Sequence, residues 1–242
     1  MIIHHLIRHH LSHGADAGFY ALQARDAIRW LREGGVRIGP GVNALDLGCG
    51  SGVLGLELQR EGCDVLFADA HNWLPDARPQ PVFRSIDIDR DDLGTLGTFD
   101  LVICSNVLEH LREPARLIGA LGSLLRDGGH VYLSWTNWLS PWGGHDFSPF
   151  HYLGPRLGPR LFDRLHQRPR QLKPGENLFV THIGRTLRQI RRHRGLKVRR
   201  MAPRYYTGFA WIMRLPLVRE FLAWNAALLI GRDPAQDRAP GD

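Results

Sequence analysis

The stretch Asn43 to Gly55, NALDLGCGSGVLG, constrains the fold more than any other part of the 242-residue chain. Ala44, Leu45 and Leu47 read as a buried strand that runs into a glycine-rich turn and then opens a helix. Gly48, Gly50 and Gly52 give the turn access to positive φ and let a ligand approach the backbone. The helix that follows directs its N-terminal amides at that ligand. Two ligand classes use such a turn. Gly50-x-Gly52-x-x-Gly55 fits a dinucleotide fingerprint, which holds a pyrophosphate. Asp46 bears on the choice, because an acid at the strand end suits a cationic ligand and repels a pyrophosphate.

The length fits one α/β domain with decorations and is short for two full domains. No apolar run approaches the roughly 18 residues of a membrane span. His4, His5 and Arg8 split the apolar residues at the N-terminus, so a signal-peptide core is not expected and a cytoplasmic location is. Cys49, Cys63 and Cys104 have no metal-like spacing and read as reduced, buried thiols. Of 31 basic residues 29 are arginine, a bias that a GC-rich genome explains as well as a ligand does. The charge is nevertheless uneven: from Asn177 to Arg219 there are 11 basic residues and no acidic one, which keeps a polyanion or a membrane surface open as a partner.

Taken in order, the histidine-rich residues 1–14 suggest a frayed or docking segment, and Gly18 to Leu31 an amphipathic helix. Val53 to Arg60 follows as a helix. Cys63 to Asp69 is a continuous apolar strand of the parallel, doubly covered kind. Asp69 ends it 19 residues past Gly50, placed to accept from two ribose hydroxyls. The segment 71–81 is irregular. Val82 to Ile88 reads as a short edge strand, 101–104 as a strand that delivers Ser105 and Asn106, 114–125 as a helix, and 130–135 as a fifth strand.

The motifs DLGCGSG, the acid Asp69, the pair Asp87-Ile88, and FDLVICSNVLEHL with LRDGGHVYL come in the order and spacing of the class I S-adenosylmethionine-dependent methyltransferases, which residues 18–136 resemble. The resemblance implies a doubly wound, mostly parallel seven-stranded α/β sheet and S-adenosylmethionine as cofactor. It implies that Tyr20, Asp46, Gly48, Gly50, Gly52, Asp69 and Ser105 surround the cofactor, with Asp87 accepting from the adenine amino group and Ile88 beside the ring. Some relatives hold Mg²⁺ through an E-x-x-E-H loop. Here Asn106 stands at the first glutamate, leaving Glu109 and His110, so metal dependence is not favoured.

Residues 137–180, with little regular structure expected, read as an acceptor lid inserted after strand five. Trp138, Trp142, Phe147, Phe150 and Tyr152 offer flat apolar faces, and His145, Asp146 and His151 offer polar groups, a combination suited to a sugar ring. His145 is the expected general base near neutral pKa, with His110 and His151 behind it and Glu109 or Asp146 to orient it. Residues 181–231 complete the domain: a helix over 181–193, a strand at 196–200, a loop from Pro203 to Phe209, a helix broken at Pro216 and a last antiparallel strand over 224–230. The apolar group from Trp211 to Leu222 is expected in the core, with a dimer or membrane face as alternatives. The tail 232–242 reads as disordered. The short motifs SPWGGH and PRYY resemble actinobacterial, mycobacterial sugar or mannoside O-methyltransferases of polysaccharide synthesis. Competing functions are methylation of a lipid or quinone head group, methylation of nucleic acid, which the missing Asn/Asp-Pro-Pro-aromatic signature disfavours, and cofactor binding without catalysis.

Overall fold

A strand covered on both faces needs apolar side chains at consecutive positions, and Leu101 to Cys104 supply them. All four are 0% exposed: Leu101 and Ile103 join the cluster on one face of the sheet, Val102 and Cys104 the cluster on the other. The computed structural model describes residues 2–14, 16–76, 80–167, 169–193 and 195–232. The described residues form one seven-stranded sheet from β1 (Asn43–Leu47), β2 (Asp64–Asp69), β3 (Val82–Ser85), β4 (Phe99–Ser105), β5 (Leu125–Thr136), β6 (Leu196–Pro203) and β7 (Asn225–Arg232), in the order β3-β2-β1-β4-β5-β7-β6. The first five pair in parallel, and β7 runs antiparallel to both β5 and β6. The strand order reverses between β1 and β4, so a ligand crevice opens at their carboxyl ends.

Helices α1 (Ile3–His13), α2 (Ala17–Glu33), α3 (Val53–Arg60), α4 (Pro114–Ala120), α5 (Gly154–His166), α6 (Ile183–Arg192) and α7 (Val218–Leu222) complete the layers. None among the described residues is long and apolar enough to cross a membrane. The three cysteines are free thiols, two of them buried.

Of the two readings of the N-terminal segment, docking holds: Leu6 is buried, the Ile3 amide donates to the Tyr205 carbonyl, and His9 Nε2 meets Asp16 Oδ1 at 2.6 Å where Asp16 caps α2. Three expectations change. The segment 137–180 holds α5 and two short 3-10 helices, and Trp138, Phe147, Phe162 and Leu178 give it a small core of its own. Pro155 sits in the first turn of α5, and Pro159 lies on its buried side, where the ring packs inward. The expected loop from Pro203 runs instead as the end of β6 and a 3-10 helix over Thr207–Arg214. The apolar group after it is not core: Ile212 and Met213 are buried, but Trp211, Leu215, Leu217, Phe221 and Leu222 are exposed. Arg232 closes β7; the rest of the expected tail, 233–242, lies outside the described residues.

One long-range tie holds the C-terminal part in place. Helix α6 has no cap from its own N-cap residue, His182. Glu220, on α7 and only 9% exposed, supplies one instead, accepting from the Ile183 amide at 2.9 Å and the Gly184 amide at 2.7 Å. A carboxylate there answers two orphan donors and the positive end of the helix. Glu220→Ala is expected to lower the unfolding free energy by about 2 kcal/mol or more, with Glu220→Gln recovering part of it. Urea denaturation of the two variants checks this, and a loss below about 0.5 kcal/mol for the alanine variant contradicts it.

Candidate active site at the carboxyl edge of the sheet

The turn between β1 and α3 is shaped by glycines with different tasks. Gly52, the N-cap of α3, has φ +72°, and a Cβ there would lie 2.3 Å from Leu74. A Cβ on Gly48 would strike Val107. Gly50, with φ +52°, has nothing within 4 Å of a Cβ, so its backbone borders open space at the sheet edge. Its amide donates to Asp69 Oδ2 at 2.8 Å, which links the ends of β1 and β2. The other Asp69 oxygen has no hydrogen-bond partner among the described residues and is available to a ligand hydroxyl.

Asp46 does not face that space. It is 3% exposed and accepts from the Gly55 amide at 2.9 Å, doing for α3 the capping that Gly52 has no side chain to do. Gly55 lacks the Cβ that would come within 2.8 Å of the carboxylate. The expectation of an acid directly on the ligand is therefore corrected: Asp46 braces the turn from beneath. Burial raises its pKa to about 7, against the lowering effect of the Gly55 amide.

The third motif divides in the same way. Asp87 is half exposed at the edge; its Oδ1 accepts from the Asp89 amide at 2.9 Å, and Oδ2 lies 3.5 Å from Arg90 Nε. Ile88 is 7% exposed and belongs to the core, so it does not lie open beside a ligand ring. Tyr20, on α2, is 46% exposed with its ring edge-on to Phe19.

At the ends of β4 and β5 the structure gathers a polar cluster. Ser105 accepts from the Ser134 hydroxyl at 3.1 Å. Asn106, with φ +56°, accepts through Oδ1 from Asn225 Nδ2 at 2.8 Å and from Arg204 at 3.3 Å. Arg204 also donates to Ser134 and is 6% exposed. Glu109 is 1% exposed; Oε1 accepts from the Thr136 amide at 2.9 Å, and burial raises its pKa. It thus anchors the end of β5 and does not orient His145. Arg204 Nε, Glu109 Oε2, Tyr132 Oη and Asn225 Oδ1 are buried without partners. Such atoms are costly unless something answers them. The sequence pointed to Ser105 and Asn106. It gave no role to Arg204 and Asn225, which stand just past the end of β6 and at the start of β7 and share no local pattern with β4.

Two candidate bases do meet: the His110 and His145 ring centroids are 5.9 Å apart. His110 Nδ1 is 2.7 Å from the Asn177 carbonyl. His145 sits at φ +49°, a left-handed conformation uncommon outside glycine, and its Nε2 is buried with no partner. Its pKa is not near neutral as expected. Burial, reinforced by His110, lowers it to about 4, with Asp146 opposing.

The remaining expected acceptor groups separate. Trp138 is 4% exposed within the small core of 137–180, and His151 is fully buried with Nε2 3.0 Å from the Ser140 carbonyl. Asp146 accepts from the Gln171 amide at 2.8 Å, pinning the far side of the segment. These three build the segment and do not present to an acceptor. Trp142 and Tyr152 stay exposed; Trp142 meets Trp224 edge-on at 6.0 Å, and Tyr152 donates to the Leu139 carbonyl. No group of three or more His, Cys, Asp or Glu side chains is arranged to hold a metal ion among the described residues. A cavity of about 680 Å³ lined by Arg191, Lys197, Arg199 and Trp211 lies at the β6 edge, away from the glycine turn, so its size does not make it the site.

Comparison with known proteins bears on this site. The family model described as a methyltransferase domain matches residues 19–201. An uncharacterized methyltransferase of Mycobacteroides abscessus is 30% identical over 231 residues, covering 89% of this chain and 88% of that protein. Another, from Mycolicibacterium gilvum, is 36% identical over 135 residues; there the match spans 55% of this chain and about half, 52%, of the relative. In fold the chain resembles an S-adenosylmethionine-dependent methyltransferase from Mesorhizobium loti, with TM-score 0.57 and 21% identity over 86% of this chain and 98% of that one. It also resembles magnesium protoporphyrin IX methyltransferase from Synechocystis with bound S-adenosylhomocysteine, with TM-score 0.54 and 19% identity over 89% of this chain and 85% of that one.

Asp46 makes the glycine turn pH-sensitive. A carboxyl whose folded pKa is raised from about 4 to about 7 binds its proton more tightly in the folded state, so it stabilises the fold at low pH and loses that effect as pH rises through the window. The melting temperature of the wild type should therefore fall relative to Asp46→Asn between about pH 4 and pH 7 and run parallel to it above that. Parallel curves for the two proteins across that window contradict the assignment.

Proposed function

The chain belongs to the methyltransferase-domain family and is a class I S-adenosylmethionine-dependent methyltransferase, and on that premise we propose that it methylates a hydroxyl of a saccharide acceptor. The residues present fit the cofactor. The open backbone at Gly50 and the unshared oxygen of Asp69 suit its ribose, and the half-exposed Asp87 suits its adenine. When bound, the cofactor supplies an activated methyl group on a good leaving group. The protein's share is to position the acceptor, exclude water and take the hydroxyl proton.

One observation carries the assignment of the proton acceptor. His145 Nε2 is an unpartnered nitrogen on a ring that burial keeps neutral, and the ring lies beside His110 near the carboxyl edge. A neutral imidazole has its lone pair free without first losing a proton. The low pKa makes it a weak base, and a neighbouring Asp146 raises that basicity. Trp142 and Tyr152 offer the exposed aromatic faces on which a sugar ring stacks, and a mannoside is the acceptor to try first.

His145→Ala is expected to leave S-adenosylhomocysteine affinity unchanged by calorimetry and to lower methyl transfer onto an oligosaccharide panel by about 10²-fold. The acid limb of the wild-type pH profile should lie near the lowered value of about 4 and not near 6.5. Near-wild-type transfer by the variant removes His145 from the role. Cofactor binding with no transfer to any saccharide removes the sugar.

A further inference from the structure

Helix α5 carries two exposed rows at four-residue spacing. Leu157, Leu161 and Leu165 are 63%, 39% and 61% exposed, and Leu153 continues the row one turn earlier. Arg156, Arg160 and Arg164, each one position before a leucine, form a second exposed row beside it. The opposite side of the helix is accounted for by buried Gly158, Pro159 and Phe162. None of the three arginines has an acidic partner among the described residues. The helix's one acid, Asp163, is held by Arg170 through two bonds at 2.7 and 2.9 Å.

We propose that this face of α5 docks on an anionic lipid surface. Three leucines left in water on a 13-residue helix call for an apolar phase, and the arginine row fixes which one. A second copy of the chain seated on the leucines would bring two arginine rows together with no free carboxylate between them. An anionic bilayer answers both rows, taking the leucines into the headgroup–acyl boundary while the arginines reach the phosphates. The charge of the whole molecule agrees in sign: net +7, with the acid-free run 177–219. Near the base of the same segment, where Asn137 bonds the Glu220 carbonyl, Phe221 and Leu222 add exposed apolar surface. The inference goes beyond the choice of acceptor and does not depend on it, because docking is measured without turnover.

The test is co-sedimentation of the full chain with vesicles of phosphatidylcholine alone or mixed equally with phosphatidylglycerol. The wild type should bind the mixed vesicles, bind phosphatidylcholine weakly, and release as salt is raised. The triple variants Leu157→Ser/Leu161→Ser/Leu165→Ser and Arg156→Gln/Arg160→Gln/Arg164→Gln should each weaken binding by about 10²-fold or more, with unchanged melting temperature because all six side chains are exposed. Should the leucine variant fold poorly, the arginine variant alone decides. Absence of binding to the mixed vesicles, or binding by either folded variant equal to the wild type, overturns the proposal. So does a dimer in sedimentation equilibrium that the leucine variant dissolves, since the face then belongs to a second copy.

Discussion

The bond from the Gly55 amide to Asp46, made under the first turn of α3, sets the angle at which that helix leaves the sheet, and the ligand crevice inherits that angle. Helix α3 begins at a glycine that must adopt positive φ and so offers no capping side chain. The cap comes instead from the strand before it, through a carboxylate that burial holds partly protonated at neutral pH. Phe67 closes the arrangement: a Cβ on Gly55 would lie 2.4 Å from its ring, so strand β2 and helix α3 pack as closely as a glycine allows. With α3 fixed, the Gly50 amide reaches Asp69 and the ends of β1 and β2 are tied together.

The far side of the crevice depends on side chains that reach across the sheet. Arg204 and Asn225 meet on Asn106 at the end of β4, while Glu109 holds Thr136, the last residue of β5. The antiparallel β7 makes this possible, since its start lies beside the carboxyl end of β5 at the pair Thr136 and Asn225. A buried guanidinium among amides and hydroxyls places a fixed positive charge at the end of β4. The segment 137–180 is built as a unit on its own aromatic core. It leaves Trp142 and Tyr152 exposed and holds His145, with Nε2 buried, on a left-handed backbone.

The parallel half was legible because each of its parts has a local signature. The apolar run ending at Asp69 and the glycine turn fall where pattern and resemblance put them, and the strand expected over 101–104 extends two residues earlier and one later. Side-chain roles were less legible, since they depend on which way a residue points at a strand end. Asp46 and Asp69 end neighbouring strands with the same chemistry, yet one is sealed under a helix and the other keeps an oxygen open. In the segment 137–180 composition alone misled. Trp138, Asp146 and His151 look like ligand-binding groups in sequence, and their partners, Leu178, Gln171 and Ser140, are up to 40 residues away or hidden by irregular turns. The exposed residues from Trp211 to Leu222 show the same limit: an apolar stretch near a chain end reads as core until a strained turn at Leu217, φ +66°, directs it outward.

The open backbone at Gly50 is the proposed floor of the cofactor site. Calorimetry of S-adenosylhomocysteine binding to the wild type and to Gly50→Val tests this most directly, because a side chain there enters open space and touches no part of the core. The variant should keep a cooperative unfolding transition, at some loss of stability from the positive φ, and lose cofactor affinity by about 10²-fold or more. A folded Gly50→Val protein that binds as tightly as the wild type would show that the cofactor lies elsewhere, and the arrangement of the crevice described above would have to be abandoned.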